Sequence, residues 1–538
     1  MGAVWGADTM STSQKTNQTD PRTPVLIGCA QITDAHSAPS SARSPSAFVA
    51  QAAKAALEDA FTGSSATDLR ARAHVLAARL DAIAVMQFFS ESSPRFVQPF
   101  GRSNNPPASV AQRIGANAVR EHVYTEVGGN MPQYLVNRYA QMIASGQIDS
   151  AMISGGELLR STQIARKQQM PLDWHEEPGG EPTILGDPRL GWSPEEARHG
   201  LKAAIWFYPL IENAIRAGRG TSPDAHLASM ARLFTRLAAV ARDNPLATRR
   251  EGYDAETLAR IDASNRYIAY PYPRLLNANA MVDQSAAVVM TSTALADELG
   301  IAHEQRVYLH GCADAADTWV VSERAELDRS AAIRGCASIA LDMAGIDVSQ
   351  IDAFDLYSCF PSAVEVACRE LGISQDDPRP LSVTGGLPYF GGPGNNYVTH
   401  SIAQMMNVVR ARPGSRGMVT GNGSYLTKHS AGIYSTTPFQ GSWQRPDCSR
   451  LQASIDASEK VRVCTNPAGQ GQIETYTVAF DRDQPSGGII FGRLPQGDRF
   501  VATVPKDPAL LAQMVTTDQL GRCGTVHAEP GGNLFIPS

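Results

Sequence analysis

Apolar and polar residues alternate along the chain with two periods, one typical of strands and one typical of helices. The β-rich run TPVLIGCAQI at Thr23–Ile32 is followed at Ser44–Ala60 by apolar residues at helical spacing. Strands that alternate with crossover helices form a mainly parallel sheet with helices on both faces, so we predict an α/β fold. The same pattern predicts strands at Leu80–Phe89, Glu121–Val127 and Ser150–Ser154, and helices at Val110–Ala116 and Pro132–Ser145.

The second half of the chain repeats the first. DAIAVMQFFS at Asp81–Ser90 shares its beginning and its apolar pattern with DAFDLYSCFP at Asp352–Pro361. At nearly the same offset, Tyr139–Gly156 aligns with Gln404–Gly423, helix with helix and strand with strand. Two such pairings indicate a duplicated α/β unit whose corresponding loops meet at a shared face.

The pattern changes at three places and so divides the chain. A polar leader at 1–22 has no apolar signal core, and we predict that it is disordered. An N-terminal half at 23–300 contains a Pro- and Gly-rich insertion at 158–282, and a C-terminal half covers 301–435. Long insertions of this kind often shape a ligand cleft, although a purely structural insertion is the alternative.

Residues 436–538 form a separate β-rich domain in this division. Alternating runs such as Glu474–Phe480 and Gly488–Gly492 are separated by turns that contain Asp, Pro and Gly. Short strands at this spacing predict a five-stranded barrel of the oligomer-binding (OB) type. The runs carry no basic, aromatic stripe, which favours packing against the neighbouring domains over ligand binding.

Composition excludes several classes of function. The formal net charge is −6, from 47 basic and 53 acidic residues, and no dense Lys/Arg block is present, which argues against nucleic-acid binding. No apolar run approaches the roughly eighteen residues that span a bilayer. The eight cysteines are scattered without a CxxC pair, which argues against a metal site and a disulfide framework and indicates the reducing cytoplasm.

The first candidate catalytic residues lie in the segment DLYSCFP at Asp355–Pro361. Cys359 lies where a strand-like run gives way to a helix, and Tyr357 lies two residues earlier, on the same side of an extended strand. His429 follows Lys428 in a Gly-rich segment at a strand end, a place that suits proton transfer. Asn130 opens a helix after two glycines, so it is predicted as an N-cap, as a donor to a carbonyl oxygen, or as both.

The glycine-rich segments do not indicate a nucleotide. Glycines between 385 and 394 are dense enough to indicate close backbone approach or left-handed turns. Their spacing is not GxGxxG and no acidic partner follows, which excludes a dinucleotide-binding loop. No GxSxG elbow is present either, which argues against a serine hydrolase.

Three motifs together resemble the thiolase superfamily, and specifically the sterol-carrier-protein type of thiolase. They are NANAMVDQSAAVV at 277–289, YSCF at 357–360 and GGLPYFGGPGNN at 385–396. The resemblance covers about 23–435, and the last domain is similar to one found in a subgroup of thiolase-like proteins. It implies two thiolase halves, an acyl-CoA substrate in lipid metabolism, no cofactor beyond the coenzyme A of the substrate, and a homodimer.

The chain departs from the resembling family at most catalytic positions. The acylated cysteine should open the helix after VGG, where this chain has Gly129 and Asn130. Tyr357 replaces the histidine of the His-Asp-Cys-Phe motif, and Gly392 replaces the histidine of the Gly-His-Pro motif. Only Cys359 matches a reactive group, which serves as an acid/base in the resembling subgroup.

Three hypotheses follow from the resemblance. The first is an acyltransferase of the acetyl-CoA acetyltransferase family, acting on a fatty or sterol-like acyl-CoA without an acylated cysteine, with Cys359 as acid/base, His429 assisting and Asn130 polarising the thioester. The second is a lyase for retro-aldol cleavage of a β-hydroxyacyl-CoA with Tyr357 as base. The third is a non-catalytic acyl-CoA-binding subunit. The residues expected to contact the substrate are Gly129, His400, Gly391, Gly392 and Asn422.

Overall fold

The computed structural model describes residues 19–92 and 96–538. Most of the leader that we predict to be disordered therefore lies outside the described residues. The last residue of the leader, Arg22, is bound to the rest of the protein. Its Nε and Nη2 donate to the carbonyl oxygen of Ile143 at 3.0 and 2.6 Å. Arg22 also pairs with Asp149 at 2.5 Å. The prediction of disorder is wrong for this residue.

The strands follow the predicted order, and those predicted from the first half are found within a few residues of their expected bounds. They are β1 (Pro24–Thr33), β2 (Ala82–Val85), β3 (Glu121–Thr125), β4 (Ser150–Leu158), β5 (Thr183–Leu185), β6 (Tyr267–Ala269), β7 (Tyr272–Pro273), β8 (Asp283–Ser292), β9 (Val307–Ala316), β10 (Ala353–Asp355), β11 (Arg416–Gly423), β12 (Lys428–Ser435), β13 (Ala468–Asp481), β14 (Gln484–Arg493), β15 (Arg499–Thr503), β16 (Cys523–Glu529) and β17 (Gly532–Pro537).

The helices begin where capping chemistry is present. In the first helix the Ser44 side chain accepts from the N–H of Ala47 and Pro45 takes the first position, both typical of helix starts. The helices are α1 (Pro45–Asp59), α2 (Ala66–Ala77), α3 (Phe89–Ser92), α4 (Pro106–Ile114), α5 (Met131–Ala144), α6 (Leu159–Lys167), α7 (Pro194–Arg198), α8 (Ala204–Arg219), α9 (Pro223–Asp243), α10 (Ala255–Ala259), α11 (Thr293–Glu298), α12 (Ala331–Ala344), α13 (Pro361–Leu371), α14 (Gly386–Tyr389), α15 (Tyr397–Ala411), α16 (Ser449–Asp456) and α17 (Pro508–Thr516).

Ten strands form one mixed sheet in the order β10-β11-β12-β9-β1-β8-β4-β2-β3-β5. Neighbouring strands are parallel at the two ends of the sheet, in β10-β11 and in β4-β2-β3-β5. They are antiparallel through the centre. The predicted parallel pairing is therefore correct only at the ends. Strands β11 and β12 are separated by the four residues 424–427, and so short a connection permits only antiparallel pairing.

The order of strands repeats about the central pair of β1 and β9. Outward from β1 lie β8, β4 and β2, and outward from β9 lie β12, β11 and β10. The segments matched as sequence repeats, β2 with β10 and β4 with β11, thus hold equivalent places. The turns that precede the equivalent helices α5 and α15 also meet, because the N–H of Gly128 donates to Oδ1 of Asn395 at 3.0 Å. The duplication predicted from the sequence is confirmed.

Helices cover both faces of this sheet. On one face, α1 contributes to an apolar cluster with residues of β1 and β8. It approaches β1 so closely that a Cβ on Gly28 would lie 2.1 Å from the carbonyl oxygen of Ala56, so that position requires glycine. On the other face, α5 and α15 contribute buried residues such as Leu135 and Met406 to the larger cluster. These two helices lie against the strands whose ends carry the candidate residues.

The C-terminal strands form a second sheet in the order β14-β15-β17-β16-β13-β6-β7. Strand β13 also pairs with β14, so five strands close into a ring, as the predicted barrel requires. Strands β6 and β7 come from the insertion and extend this sheet, which the sequence analysis did not foresee. Assignment of the ring to the OB class stays a prediction. Among the described residues, no helix combines the length and the apolar character needed to cross a membrane.

Candidate functional site

A buried carboxylate fixes the backbone at the end of β10, where the candidate residues begin. Asp355 accepts from Oγ of Ser401 at 2.6 Å and from the N–H groups of Val383 and Thr384 at 2.9 and 3.2 Å. Burial raises the pKa of Asp355 despite these bonds. The strand ends here, so Tyr357 and Cys359 lie in the loop before α13, not on an extended strand as the sequence suggests.

The phenol of Tyr357 fills the space at the start of α5. A Cβ on Gly129 would lie 2.5 Å from Oη of Tyr357 and 2.6 Å from the carbonyl oxygen of Asn422. The Tyr357 ring packs edge-on against Tyr397, with centroids 5.7 Å apart. Burial, with a smaller contribution from Cys359, raises the pKa of Tyr357 well above the usual phenol value. A neutral hydroxyl therefore occupies the space that a side chain at Gly129 would need.

Cys359 lies in a polar group centred on Tyr208. Burial raises the pKa of the Cys359 thiol to about 12, and a hydrogen bond with Tyr208 lowers it only in part. Oη of Tyr208 accepts from Nδ2 of Asn422 at 2.9 Å and from the N–H of Leu426 at 3.3 Å. Its ring stacks on Phe360 with centroids 4.5 Å apart. At neutral pH this group therefore holds a protonated thiol beside a phenol and an amide.

Tyr208 is a site residue that sequence reasoning missed. It lies on α8, inside the insertion, about 150 residues before the cysteine that it contacts. In the sequence it belongs to the apolar run IWFYPL, in which an aromatic residue indicates only helix packing. The only indirect signal was the expectation that the insertion lies over the sheet.

His429 and Asn422 face each other across β11 and β12, as Cα partners in the strand register. Nε2 of His429 lies 3.5 Å from Oδ2 of Asp317, which is within ion-pair range but not aligned as a hydrogen bond. Burial acts to raise the pKa of Asp317, but His429 and Arg324 outweigh it and hold the pKa below its usual value. The structure thus brings a histidine–carboxylate pair to the same cavity as Tyr357.

Asn130 is buried beside the same strands and holds the N-cap position of α5, as predicted. Its backbone is already helical and its side chain makes no capping hydrogen bond, so the capping chemistry of that position is not used. Instead, Nδ2 lies 3.5 Å from Oγ of Ser430, while Oδ1 has no hydrogen-bond partner among the described residues. The amide therefore has hydrogen-bonding capacity that the described residues do not use.

His400 lies apart from the Tyr357 cavity, whose lining residues do not include it. It is fully buried on α15, where its Nδ1 is 3.1 Å from Oε1 of Gln31 and its ring packs against Phe390. Burial lowers the pKa of His400 to about 3, so the ring is neutral. This environment is typical of a structural histidine.

Gly391 and Gly392 also lie beside the cavity and not in its wall. A Cβ on Gly391, at φ 130°, would lie 2.2 Å from Oε1 of Gln284, so both the backbone angle and the space require glycine. The N–H of Gly392 donates to the carbonyl oxygen of Asn279 at 2.9 Å. The neighbouring Ala278 donates to the carbonyl oxygen of Cys359 at 3.0 Å, which connects this segment to the site.

The cavity itself has a volume of about 20 Å³, which is enough for about one water molecule. Its polar wall consists of Tyr357, Thr420, Asn422, His429 and Ser430, and its apolar wall includes Cys336. These groups can donate a proton, accept one and bind an oxygen atom. An acyl group can enter only if the wall opens.

Known proteins resemble this chain in sequence and in fold. Residues 450–530 match the family described as thiolase-like protein type 1 additional C-terminal domain. A monomeric SCP2-thiolase-like protein type 1 from Mycobacterium smegmatis is 35% identical to the chain, with a TM-score of 0.80. That comparison covers 96% of this chain and 100% of the other.

Two further comparisons are more distant. A probable acetyl-CoA acetyltransferase of Mycobacterium tuberculosis is 29% identical over 133 residues, which are 24% of this chain and 31% of that protein. The chain thus spans less than a third of that curated relative. The dimeric peroxisomal thiolase of Saccharomyces cerevisiae is 13% identical, with a TM-score of 0.53 over 78% of this chain and 98% of the other, which supports the fold alone.

Fold, strand order and the long match to the M. smegmatis protein agree with one another. The chain belongs to the family of SCP2-thiolase-like proteins type 1.

Proposed function

We propose that this protein binds an acyl-CoA thioester and cleaves or forms the bond between its α- and β-carbons by proton transfer, without an acyl-enzyme. The reaction that fits best is retro-aldol cleavage of a β-hydroxyacyl-CoA. The observation that carries the proposal is the position of Tyr357, whose hydroxyl fills the space beside Gly129 where the fold would place an acylated side chain.

His429 is the base of the proposed reaction. It removes the proton of the β-hydroxyl group, and Asp317 stabilises the imidazolium that forms. The bond between the α- and β-carbons then breaks. The β-carbon leaves as an aldehyde or ketone, and the electron pair passes to the thioester as an enolate.

Tyr357 is the acid of this reaction. Because burial raises its pKa, the phenol stays protonated at neutral pH and donates a proton to the α-carbon of the enolate. This role is opposite to the basic role expected from the sequence. The imidazolium of His429, which lines the same cavity, then returns the proton taken from the substrate to the phenolate and restores the site. The Asn130 amide, which lies at the same strands, would donate to the thioester oxygen as negative charge develops there.

Acyl transfer is the second candidate, since part of the chain is similar to a probable acetyl-CoA acetyltransferase. In that reaction Cys359 would act as the acid/base. Burial raises the pKa of the Cys359 thiol to about 12, so little thiolate is present at neutral pH to act as the base, and this candidate explains the site less well.

The test compares two substrates in three variants. Purified protein is incubated with a β-hydroxyacyl-CoA, and separately with acetoacetyl-CoA and CoA, while release of aldehyde or ketone and thiolysis are followed. For a lyase, Tyr357→Phe and His429→Gln lower the rate of carbonyl release at least about 100-fold, while Cys359→Ala lowers it less. For an acyltransferase, thiolysis is observed and is lost in Cys359→Ala.

Tyr139→Phe is the matched control, because this buried phenol on α5 has no hydrogen-bond partner among the described residues. It removes the same atom at a different place and leaves the rate unchanged. Tight acyl-CoA binding without turnover of either substrate would overturn both enzymatic proposals and support the non-catalytic subunit.

The homodimer and the cytoplasmic location expected from the sequence stay predictions. The similar M. smegmatis protein is described as monomeric, whereas the yeast thiolase is described as dimeric. Light scattering coupled to gel filtration decides the first point. A mass near 57.6 kDa at all concentrations would contradict the homodimer.

A further inference from the structure

We propose that Glu212, His226 and Glu365 bind a divalent transition-metal ion, with Zn²⁺ as the best match, at a site separate from the cavity at Tyr357. The three side chains come from α8, α9 and α13 and are almost completely buried. One ligand atom of each lies within 4.8 Å of those of the other two.

Glu365 is the group that most needs a partner. Its side chain is fully buried, yet neither carboxylate oxygen makes a hydrogen bond among the described residues. Nη1 of Arg219 lies 2.7 Å from Oε2, close enough for charge attraction, but it is not aligned as a hydrogen bond. A buried carboxylate without hydrogen bonds is costly, and a cation between Glu365 and Glu212 would remove this cost.

The other two ligands are already held in place. Nε2 of His226 lies 2.5 Å from Oε1 of Glu212. The second oxygen of Glu212 accepts from Oη of Tyr272 at 2.6 Å, which fixes the carboxylate in the way that outer partners fix metal ligands. The alternative to a metal ion is a proton shared by His226 and Glu212, with Arg219 balancing the charge of Glu365.

The donor set suits zinc. One imidazole nitrogen and two carboxylate oxygens leave a fourth position for water or a ligand, as in zinc sites with three protein ligands. Bonds of about 2.0–2.2 Å place neighbouring tetrahedral ligands about 3.3 Å apart. On binding the ion, His226 and Glu212 would therefore move apart by less than an ångström from their present 2.5 Å, while Glu365 moves inward.

Access to the site is provided by a polar cleft of about 520 Å³, which Glu365 and Arg219 line together with Asp328, Arg369 and Ser229. The Arg219 side chain is 34% exposed, so it can turn into the cleft when an ion takes its place. This set contains no cysteine, which is why the cysteine pattern predicted that metal sites were absent.

The test uses the full chain, dialysed against a chelator and titrated with Zn²⁺ by calorimetry, with Mg²⁺ as the comparison ion. Wild type is expected to bind one Zn²⁺ much more tightly than Mg²⁺. Glu365→Gln and His226→Gln are each expected to weaken this binding at least about tenfold. Asp328→Asn, in the same cleft but outside the three ligands, leaves it unchanged.

Arg219→Gln keeps the proposal testable if a ligand variant fails to fold. Removing the competing guanidinium is expected to strengthen Zn²⁺ binding severalfold. Zn²⁺ binding that is equal in wild type, Glu365→Gln and Arg219→Gln would overturn the proposal, because it would locate the ion elsewhere. Absence of Zn²⁺ binding by the folded wild type would overturn it as well.

Discussion

The Tyr357 hydroxyl occupies the space that a side chain at Gly129 would need. This arrangement decides which chemistry the site can carry out. A side chain at Gly129 would meet the Tyr357 hydroxyl, which can move, and the carbonyl oxygen of Asn422, which belongs to β11 and cannot. The spacing of the backbones therefore leaves too little room for a side chain at Gly129.

We predict that Gly129→Cys lowers the free energy of unfolding by about 1–3 kcal/mol, the usual cost of overpacking. In a Tyr357→Ala background, Gly129→Cys should cost only somewhat less than in wild type, because the Asn422 carbonyl remains 2.6 Å away. Urea unfolding measures both. Gly487→Cys is the control, since a Cβ there meets nothing within 4 Å. An unchanged midpoint for Gly129→Cys would refute the crowding argument.

His400 gives a prediction for pH. The pKa of His400 in the folded state, about 3, lies below the ordinary histidine value of 6.5, so folding favours the neutral ring. The stability that this provides is present above pH 6.5 and is lost as pH falls toward 3.

Relative to His400→Gln, wild type should therefore lose about 1–3 kcal/mol of unfolding free energy between pH 6.5 and 4.5. Urea unfolding at several pH values measures the difference. Between pH 7.5 and 8.5 the difference should stay constant. A difference that is also constant below pH 6.5 would show that the ring does not titrate as its burial implies.

At the scale of elements, the turn between β11 and β12 is strained and lies at the cavity. Ser424 and Leu426 have φ of 58° and 52°, a left-handed conformation that costs roughly 1–2 kcal/mol per residue. The buried Arg324 holds the turn by donating to the carbonyl oxygen of Tyr425 at 3.0 Å. The N–H of Leu426, in the same turn, donates to Oη of Tyr208. This is the segment that we expect to open for an acyl group.

Ser424→Gly should raise the free energy of unfolding by about 0.5–1 kcal/mol, because glycine adopts this φ without strain. It should also change the KM for acyl-CoA, since the turn forms part of the site. Arg482→Gly, at φ 53° in the distant β13–β14 hairpin, should stabilise similarly and leave KM unchanged. Thermal unfolding and steady-state kinetics test both. Equal effects of the two variants on KM would contradict a role for the turn.

Elements are also where prediction from the sequence was most successful. The helices predicted at Ser44–Ala60 and Pro132–Ser145 are α1 and α5 with ends shifted by one residue, because capping and periodicity are local properties. The pairing of strands was predicted less well. Whether a strand is parallel to its neighbour depends on the path of the chain between them, as the short turn before β12 illustrates.

At the scale of the molecule, the C-terminal domain is part of the body that carries the site. The side chain of Asn213 on α8 donates to the carbonyl oxygen of Tyr476 in β13 at 2.9 Å. The fully buried Arg499 donates to the carbonyl oxygens of Ser322 and Arg324 at 2.8 and 2.6 Å. Arg324 also stabilises the strained turn between β11 and β12. Arg499 and Arg324 therefore connect the C-terminal domain to the site.

Arg499→Gln should lower the free energy of unfolding by about 2–5 kcal/mol, because it leaves the buried carbonyl groups of Ser322 and Arg324 without their donor and leaves Glu474 paired with Arg493 alone. Arg462→Gln is the control. That arginine pairs with Asp498 in the same domain but is mostly exposed to solvent, so its loss should change the free energy of unfolding little. Calorimetric unfolding measures both. Equal losses would show that the domain is only loosely attached.

The sequence by itself determined the duplicated α/β halves, the β-rich last domain and the lack of a cysteine at Gly129. Periodicity, repeats and residue identity express these properties locally, and they need no knowledge of what lies opposite. Tyr357, Cys359 and His429 could be chosen as candidates for the same reason.

Only the tertiary structure decided which side chains meet. Tyr208 reaches Cys359 across about 150 residues, and Tyr357 turns its phenol into the space beside Gly129. Glu212, His226 and Glu365 come together from three helices. Such meetings depend on the order of strands in the sheet and on the spacing of backbones to within an ångström. Neither quantity is a property of any single stretch of sequence, so the chemistry of both sites appears only in the fold.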